Sequence, residues 1–464
     1  MTTHPANVKR TRATRRTVRI SALGLMLAAS VMACGDTLVP NLNDPIIDDF
    51  LNNPTPDQVQ AMSIGLLFGS RADIGALIRN TEIIGRDAYN LDPADPRWVD
   101  QFLGPNLDKG GFGANHWLPR YRNIKAANIL IESVETSAEF SAEQKQATKG
   151  FARTIKGLDL LYLWEARGPV GIASDAGRTT TDLEPIICSA PALARIAAVL
   201  DSANAELNAG GGSFPFDVDV EGLEGFITPA TFAEFNRALK AKVEVYRGQY
   251  VSALTALGQS FISTDAAALD DGVYFAYSLG AGDIQNPLYQ DTASTNFRVH
   301  RSVVTQAEAG DRRRAEKVAT SNVIRWPSDT AVVSEFVFVV YEGPTSPIPI
   351  IQNEELILLR AEARWFSGDK PGAVADINFI RQAAGGLGPS TVTTGSTDDQ
   401  FVTELLRQKR YSLLWESTSR WVDARRFNRL GTLPRDNTTE HVVHATFPIP
   451  ESEELARGGN IACQ

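Results

Sequence analysis

One stretch near the end of this chain, NEELILLRAEARWFSGDKPGAVADINFIRQAAGG, restricts the possible folds more than any other. Apolar residues recur at Leu356, Leu359, Ala363 and Phe366, then at Val374, Ile377 and Ile380, with the three-and-four spacing of two helices. Between them Gly368 can take the left-handed conformation that closes a helix, and Asp369 can cap the next one through its carboxylate. Pro371 fits a first turn, where its missing N–H is not needed. The passage therefore predicts a helical hairpin with a short turn. A second copy lies upstream, where KAKVEVYRGQYVSALTAL from Lys240 aligns without a gap on RAEARWFSGDKPGAVADI from Arg360. The alignment sets Ala241 on Ala361, Tyr246 on Phe366, Gly248 on Gly368 and Ala253 on Ala373. Small residues fall where two helices must touch, and glycine falls at the turn.

That is the logic of a tetratricopeptide-like unit, whose period is about 34 residues. One hairpin cannot bury its apolar face alone, so stacked hairpins are expected to share a continuous core. With 464 residues and 43% hydrophobic composition there is ample material for it. The expectation is one mostly α-helical domain with inserted loops and a few short strands.

A second passage, LLRQKRYSLLWESTSRWVDARRFNRLGTLP, carries a denser pattern. A basic pair, Lys409 and Arg410, leads through Leu413 and Leu414 to Glu416, and then to Arg420, Trp421, Asp423, Arg425 and Arg426. This block resembles the C-terminal motif of the SusD/RagB-like nutrient-binding lipoproteins. Two positions depart from the family pattern: Ser417 replaces the usual glycine, and Gln408 stands where an acid is common. On the residues alone, Glu416 and Arg420 stand one helical turn apart and are expected to pair, while Asp423 engages Arg426 or an arginine of another helix. The charges read as a structural ion network and not as catalytic groups. The resemblance extends to Trp117, Tyr121, Ile124, Asn128 and Ile131 on one helix, to the Gly168-Pro169 turn after a long helix, and to Pro448, Ile449 and Pro450. Trp117, Tyr162 and Trp164 lie on apolar helical stripes and read as core.

Residues 1 to 33 read as a signal peptide. Lys9, Arg10, Arg12, Arg15, Arg16 and Arg19 precede the apolar run ISALGLMLAASVMA, which is too short to span a bilayer as a permanent anchor. Arg15-Arg16 hints at a twin-arginine signal, and Val31-Met32-Ala33-Cys34 resembles a bacterial lipobox that would lipidate Cys34. Residues 34 to 56 then form an Asp-, Asn- and Pro-rich tether, and 57 to 464 the helical-repeat domain with insertions at about 85–115 and 265–350. Within it Met62, Leu66 and Leu67 mark a helix from Gln58 to Asn80, and VVSEFVFVVY in the second insertion alternates like a strand. The leader carries six basic residues and no acid, so its removal takes the net charge from −10 to −16, which excludes nucleic acid as a partner. With Cys34 lipidated, Cys188 and Cys463 remain as one even pair in an oxidising compartment. A disulfide between them is the expectation, and two free thiols the alternative that spacing leaves open.

No HExxH, P-loop, GxGxxG after a strand, or GxSxG elbow occurs. His441 and His444 are three apart with no cysteine or carboxylate ligand beside them, so no metal site is assigned, and no cofactor. Paired carboxylates for glycoside hydrolysis come from distant positions, so a hydrolase stays open on the residues alone. The family resemblance implies binding instead. It implies an outer-membrane lipoprotein facing the exterior that captures a nutrient, most simply an oligosaccharide, and passes it unchanged to a SusC-like TonB-dependent transporter. RagB-like relatives imply peptide as the alternative ligand, and a periplasmic helical-repeat scaffold is the alternative role. Sugar rings stack on aromatic faces while short polar side chains bond their hydroxyls. Two stretches have that composition: Asp87, Tyr89, Asn90 and Trp98 in the first loop, and Tyr274, Tyr277, Asn286, Tyr289 and Trp326 in the second insertion.

Overall fold

The computed structural model describes residue 51, residues 53–177 and residues 182–464. The leader, the Cys34 junction and most of the tether lie outside the described residues. Helices α1 (Pro56–Arg71), α2 (Ile74–Ile84), α4 (Leu118–Thr136), α5 (Ala142–Arg167) and α6 (Ser189–Asn208) precede the first repeat hairpin. That hairpin is α7 (Pro229–Tyr246) with α8 (Tyr250–Leu257), and the second is α11 (Asn353–Ser367) with α12 (Lys370–Ala383). Packing follows chain order, α4 on α5, α5 on α6, α6 on α7, α7 on α8, α8 on α11 and α11 on α12, so each helix covers the apolar face of the one before it. A mostly helical architecture results. The expected single helix from Gln58 to Asn80 is two, because the backbone breaks at Ala72 and Asp73.

The two hairpins close as their sequences demand. Gly368 has φ 99° and Gly248 φ 70°, both left-handed. The Asp369 carboxylate accepts from the Gly372 N–H at 3.0 Å, with Pro371 in the first turn. Ala241, Ala361, Ala253 and Ala373 are all fully buried, where their small side chains let backbones approach. The hairpins meet through Tyr250 and Phe366, whose rings stack at 5.1 Å.

The strands form four separate antiparallel pairs. β1 (Ala88–Asn90) pairs β5 (Phe297–Val299), β2 (Ile172–Ala173) pairs β3 (Ile186–Ile187), β4 (Gly272–Phe275) pairs β8 (Ile348–Gln352), and β6 (Val318–Arg325) pairs β7 (Val333–Phe338). Two of these pairs tie the insertions down. β4–β8 returns the second insertion to the start of α11, and β1–β5 joins it to the first loop. Four short helices complete the fold: α3 (Arg97–Asp100) in the first loop, α9 (Arg301–Thr305) and α10 (Arg312–Lys317) in the second insertion, and α15 (Glu451–Ala456) near the end. Beside β3, Cys188 and Cys463 are joined in a disulfide with Cα atoms 4.8 Å apart, and the Gln464 N–H donates to the Ile186 carbonyl at 2.9 Å.

The C-terminal motif spans α13 (Asp398–Ser412) and α14 (Ser419–Arg426). The expected Glu416–Arg420 pair does not form, because the helix ends at Ser412 and Trp415 turns to φ 63°, so the two residues never share a helical face. Glu416 pairs with Lys317 instead, and Arg420 reaches Asp87 at 3.5 Å. Asp423 does bind Arg426, at 2.6 Å, and also Lys409 at 2.9 Å. Glu362 of α11 binds the same two cations, at 2.6 and 3.2 Å, which closes a buried quartet. The Arg426 guanidinium also donates to the Val245 carbonyl of α7 at 2.9 Å, so both hairpins hang on this one residue.

Candidate functional site

The two stretches with ligand-binding composition, far apart in the chain, meet in the fold. Tyr89 lies opposite Arg298 and Asn90 opposite Phe297 in the β1–β5 pair, and the Trp98 ring meets the Phe297 ring at 6.4 Å. From there the insertion runs along one edge of α2 and α1. The Arg79 guanidinium lies 4.8 Å from the Trp98 ring centre and 5.5 Å from that of Phe297. One turn earlier, Pro287 rests on Gly75, where an added Cβ would come within 2.2 Å of its ring. Beyond that, the Arg71 guanidinium donates to the Ala276 carbonyl and to the Asp283 carboxylate.

Most of the named candidates are used by the seam itself. Asp87 is fully buried, with its carboxylate held by Arg410 and Arg420, and so cannot reach a ligand. The Tyr89 hydroxyl donates to Asp436 at 2.6 Å, and Asn90 caps the next turn by accepting from the Asp92 N–H at 3.1 Å. Asn286 donates to the Ser346 carbonyl at 2.7 Å and accepts from the Leu288 N–H at 2.8 Å. Trp326 is buried between β6 and β7. Ligand contact would need these side chains exposed, but the β1–β5 pair, the turn after β6 and hydrogen bonds within the insertion turn them inward. Trp98 and Tyr289 are half-buried, and Phe102 and Phe112 lie against the Trp98 ring at 5.5 and 4.5 Å.

Tyr274 and Tyr277 line an open cleft instead. Its floor and walls include Leu67, Phe68 and Arg71 from α1, Glu221 and Leu223 from the segment before α7, and Asp283 from the insertion. Phe68 is 52% exposed, an open aromatic face beside a guanidinium 4.6 Å from its centre. Tyr277 flanks the same guanidinium at 5.3 Å, and burial pushes its hydroxyl well above the usual tyrosine range. The hydrogen bond from Arg71 holds the Asp283 carboxyl below the usual carboxylate range, so it stays charged. At about 190 Å³ the cleft is smaller than pockets that engulf a drug-sized molecule, roughly 300–1,000 Å³. A chain segment lying across it, with one residue on Phe68, fits that shape better than an enclosed small molecule.

Sequence reasoning missed Phe68, Arg71, Glu221 and Asp283. One signal existed for the first: the buried stripe of α1 is Val59, Ser63, Leu66, Leu67 and Ser70, and Phe68 stands off it. Nothing local marks Arg71 or Glu221, and Asp283 sits in an unremarkable SLGAGD turn. Among the described residues no cluster of His, Cys, Asp and Glu is arranged to hold a metal ion.

No protein-family profile matches this chain, and no curated protein matches it in sequence. Solved structures do match in fold. A SusD-like carbohydrate binding protein from Bacteroides vulgatus superposes with a TM-score of 0.67 at 18% identity, covering 88% of this chain and 98% of that one. Surface glycan-binding protein A from Bacteroides thetaiotaomicron, solved in complex with laminarihexaose, gives 0.65 at 12% identity over 87% and 98%. A laminarin binding SusD-like protein gives 0.65 at 14% over 86% and 97%.

Proposed function

We propose that this protein, which has the SusD-like fold, binds a glycan at the cell surface in the cleft beside Phe68 and hands it on without chemical change. The observation that carries the reading is the half-exposed Phe68 ring in a cleft also lined by the carboxylates of Asp283 and Glu221. A sugar ring can lay its C–H face on the phenylalanine while its hydroxyls donate to the carboxylates. Fold-level likeness to a protein solved with laminarihexaose supports the ligand class. The same likeness, with the lipobox-like Cys34, supports a lipid-anchored position at the outer membrane and delivery to a SusC-like TonB-dependent transporter. Calorimetric titration of the purified protein with neutral oligosaccharides and with peptides tests the reading, on wild type and on Phe68→Ala. Saccharide affinity is expected to fall about tenfold or more on losing the stacking face. Unchanged saccharide affinity in Phe68→Ala would move the site elsewhere, and peptide binding alone would replace the ligand class.

A further inference from the structure

The cleft contains one guanidinium, and the chain supplies its counter-ion. Arg71 is 7% exposed and its guanidinium is flanked by Phe68 and Tyr277, so it is desolvated and fixed in direction. One of its terminal nitrogens donates to the Ala276 carbonyl and the other to the Asp283 carboxylate. An arginine presents its donors as a rigid fork that suits a carboxylate, and Asp283 already occupies the accessible side of it. Asp283 is held there by its own turn: its N–H donates to the Gly280 carbonyl at 3.1 Å and its carboxylate accepts from the Ile284 N–H at 2.8 Å. A carboxylate arriving from solution must therefore displace one that is tethered beside the fork.

The remaining charge of the cleft points the same way. Glu221, exposed on the facing wall, forms no ion pair among the described residues. The lining thus holds Arg71 against Asp283 and Glu221, a net charge of −1 above the apolar surface of Leu67, Phe68 and Leu223. Next to an apolar wall an unpaired negative charge is screened less than in open water and repels an anion more strongly. Sugar hydroxyls meet no such barrier, because they donate to carboxylates.

We infer that Asp283 is a specificity-determining residue that reserves this cleft for uncharged glycans and turns away uronate-bearing ones. The inference rests on the glycan-binding reading and adds the substrate class. It is tested by calorimetric titration of the purified protein with neutral glucan hexasaccharides of β-1,3, β-1,4 and α-1,4 linkage and with hexagalacturonate. Wild type is expected to bind at least one neutral hexasaccharide about tenfold or more tightly than the uronate. Asp283→Asn frees the Arg71 fork and removes a charged acceptor for sugar hydroxyls, so uronate affinity should rise, neutral affinity should fall, and the preference for neutral glycan should shrink about tenfold or more, by a factor that falls as salt is added. Asp283→Glu keeps the carboxylate and should keep the rejection, which separates loss of charge from loss of folding. Equal binding of both glycans by wild type, or an unchanged preference in Asp283→Asn, would overturn the inference and leave glycan binding standing. Failure of every glycan to bind would sink the parent reading and this inference with it.

Discussion

The repeat hairpins and the seam between the first loop and the second insertion are stabilised in different ways. In the hairpins the partners are near in sequence: Asp369 caps three residues on, and the Asp376 carboxylate takes Arg360 and Arg364 from the facing helix at 2.7 and 2.8 Å. In the seam they are remote. Asp87 meets Arg410 across 323 residues, and Tyr89 meets Asp436 across 347. Local partners form as soon as the helices do, whereas remote ones form only after the whole stack has closed around them. The proposed cleft borders the second kind of region, where the insertion lies along α1.

The largest test removes one anion from the seam and one from the buried quartet that ties α11 of the second hairpin to the C-terminal motif. Asp87→Ala leaves Arg410 and Arg420 buried without a carboxylate in contact, and is expected to cost about 3–5 kcal/mol in urea denaturation. Asp423→Ala should cost less, since Glu362 still binds both Lys409 and Arg426. If the order is reversed, the quartet and not the seam anchor is the more constrained charge site.

A smaller effect is expected from the hairpin turns. Neither Gly368 nor Gly248 has any atom within 4 Å of where a Cβ would sit, so alanine meets no clash and pays only for left-handed backbone. Gly368→Ala and Gly248→Ala should each lower stability by about 1–2 kcal/mol and by similar amounts. A difference well beyond that between them would mean the two turns are not equivalent despite their aligned sequences.

The smallest effect concerns the strap that follows α14 and closes over the seam. Its Val442 N–H donates to the Leu103 carbonyl at 2.8 Å, and the Arg86 guanidinium binds the Val442 carbonyl. Burial lowers the imidazole of His441, helped by Arg86 and opposed by Asp329 and Asp436, and burial likewise lowers that of His444. A histidine depressed in the folded state takes its proton later than in the unfolded chain. Stability from these two groups is therefore complete above about pH 6.5 and is lost as the pH falls through and below it. Protection of the Val442 amide, taken relative to the intrinsic exchange rate at each pH, should fall between pH 7.5 and 5.5 more than protection in α11, and His441→Gln should reduce the difference. An equal fall in both places would tie the acid effect to global unfolding.

How far each region could be read from the chain follows from the same contrast. The hairpin turns, the alanine contacts, the buried Trp117, Tyr162 and Trp164, and the Asp423–Arg426 pair were legible because spacing and turn chemistry act over a few residues. The Glu416–Arg420 expectation failed because Glu416 lies outside both helices, just after the left-handed Trp415 and before α14 begins at Ser419, and nothing in a window of that length announces the break. The fold brings together the two loops rich in aromatic and short polar residues, yet their composition could not say which of their side chains would face outward.

That last choice belonged to the tertiary structure. By itself the sequence determined a stack of helical hairpins with two long insertions, because helical periodicity and glycine turns are local and repeat. Only the closed fold decided that Asp87 and Tyr89 would turn inward against Arg410 and Asp436, and that Phe68 would stay open beside Arg71 and Asp283. Exposure depends on what packs against a residue from elsewhere in the chain, and a side chain's partner hundreds of residues away leaves no periodic trace beside it.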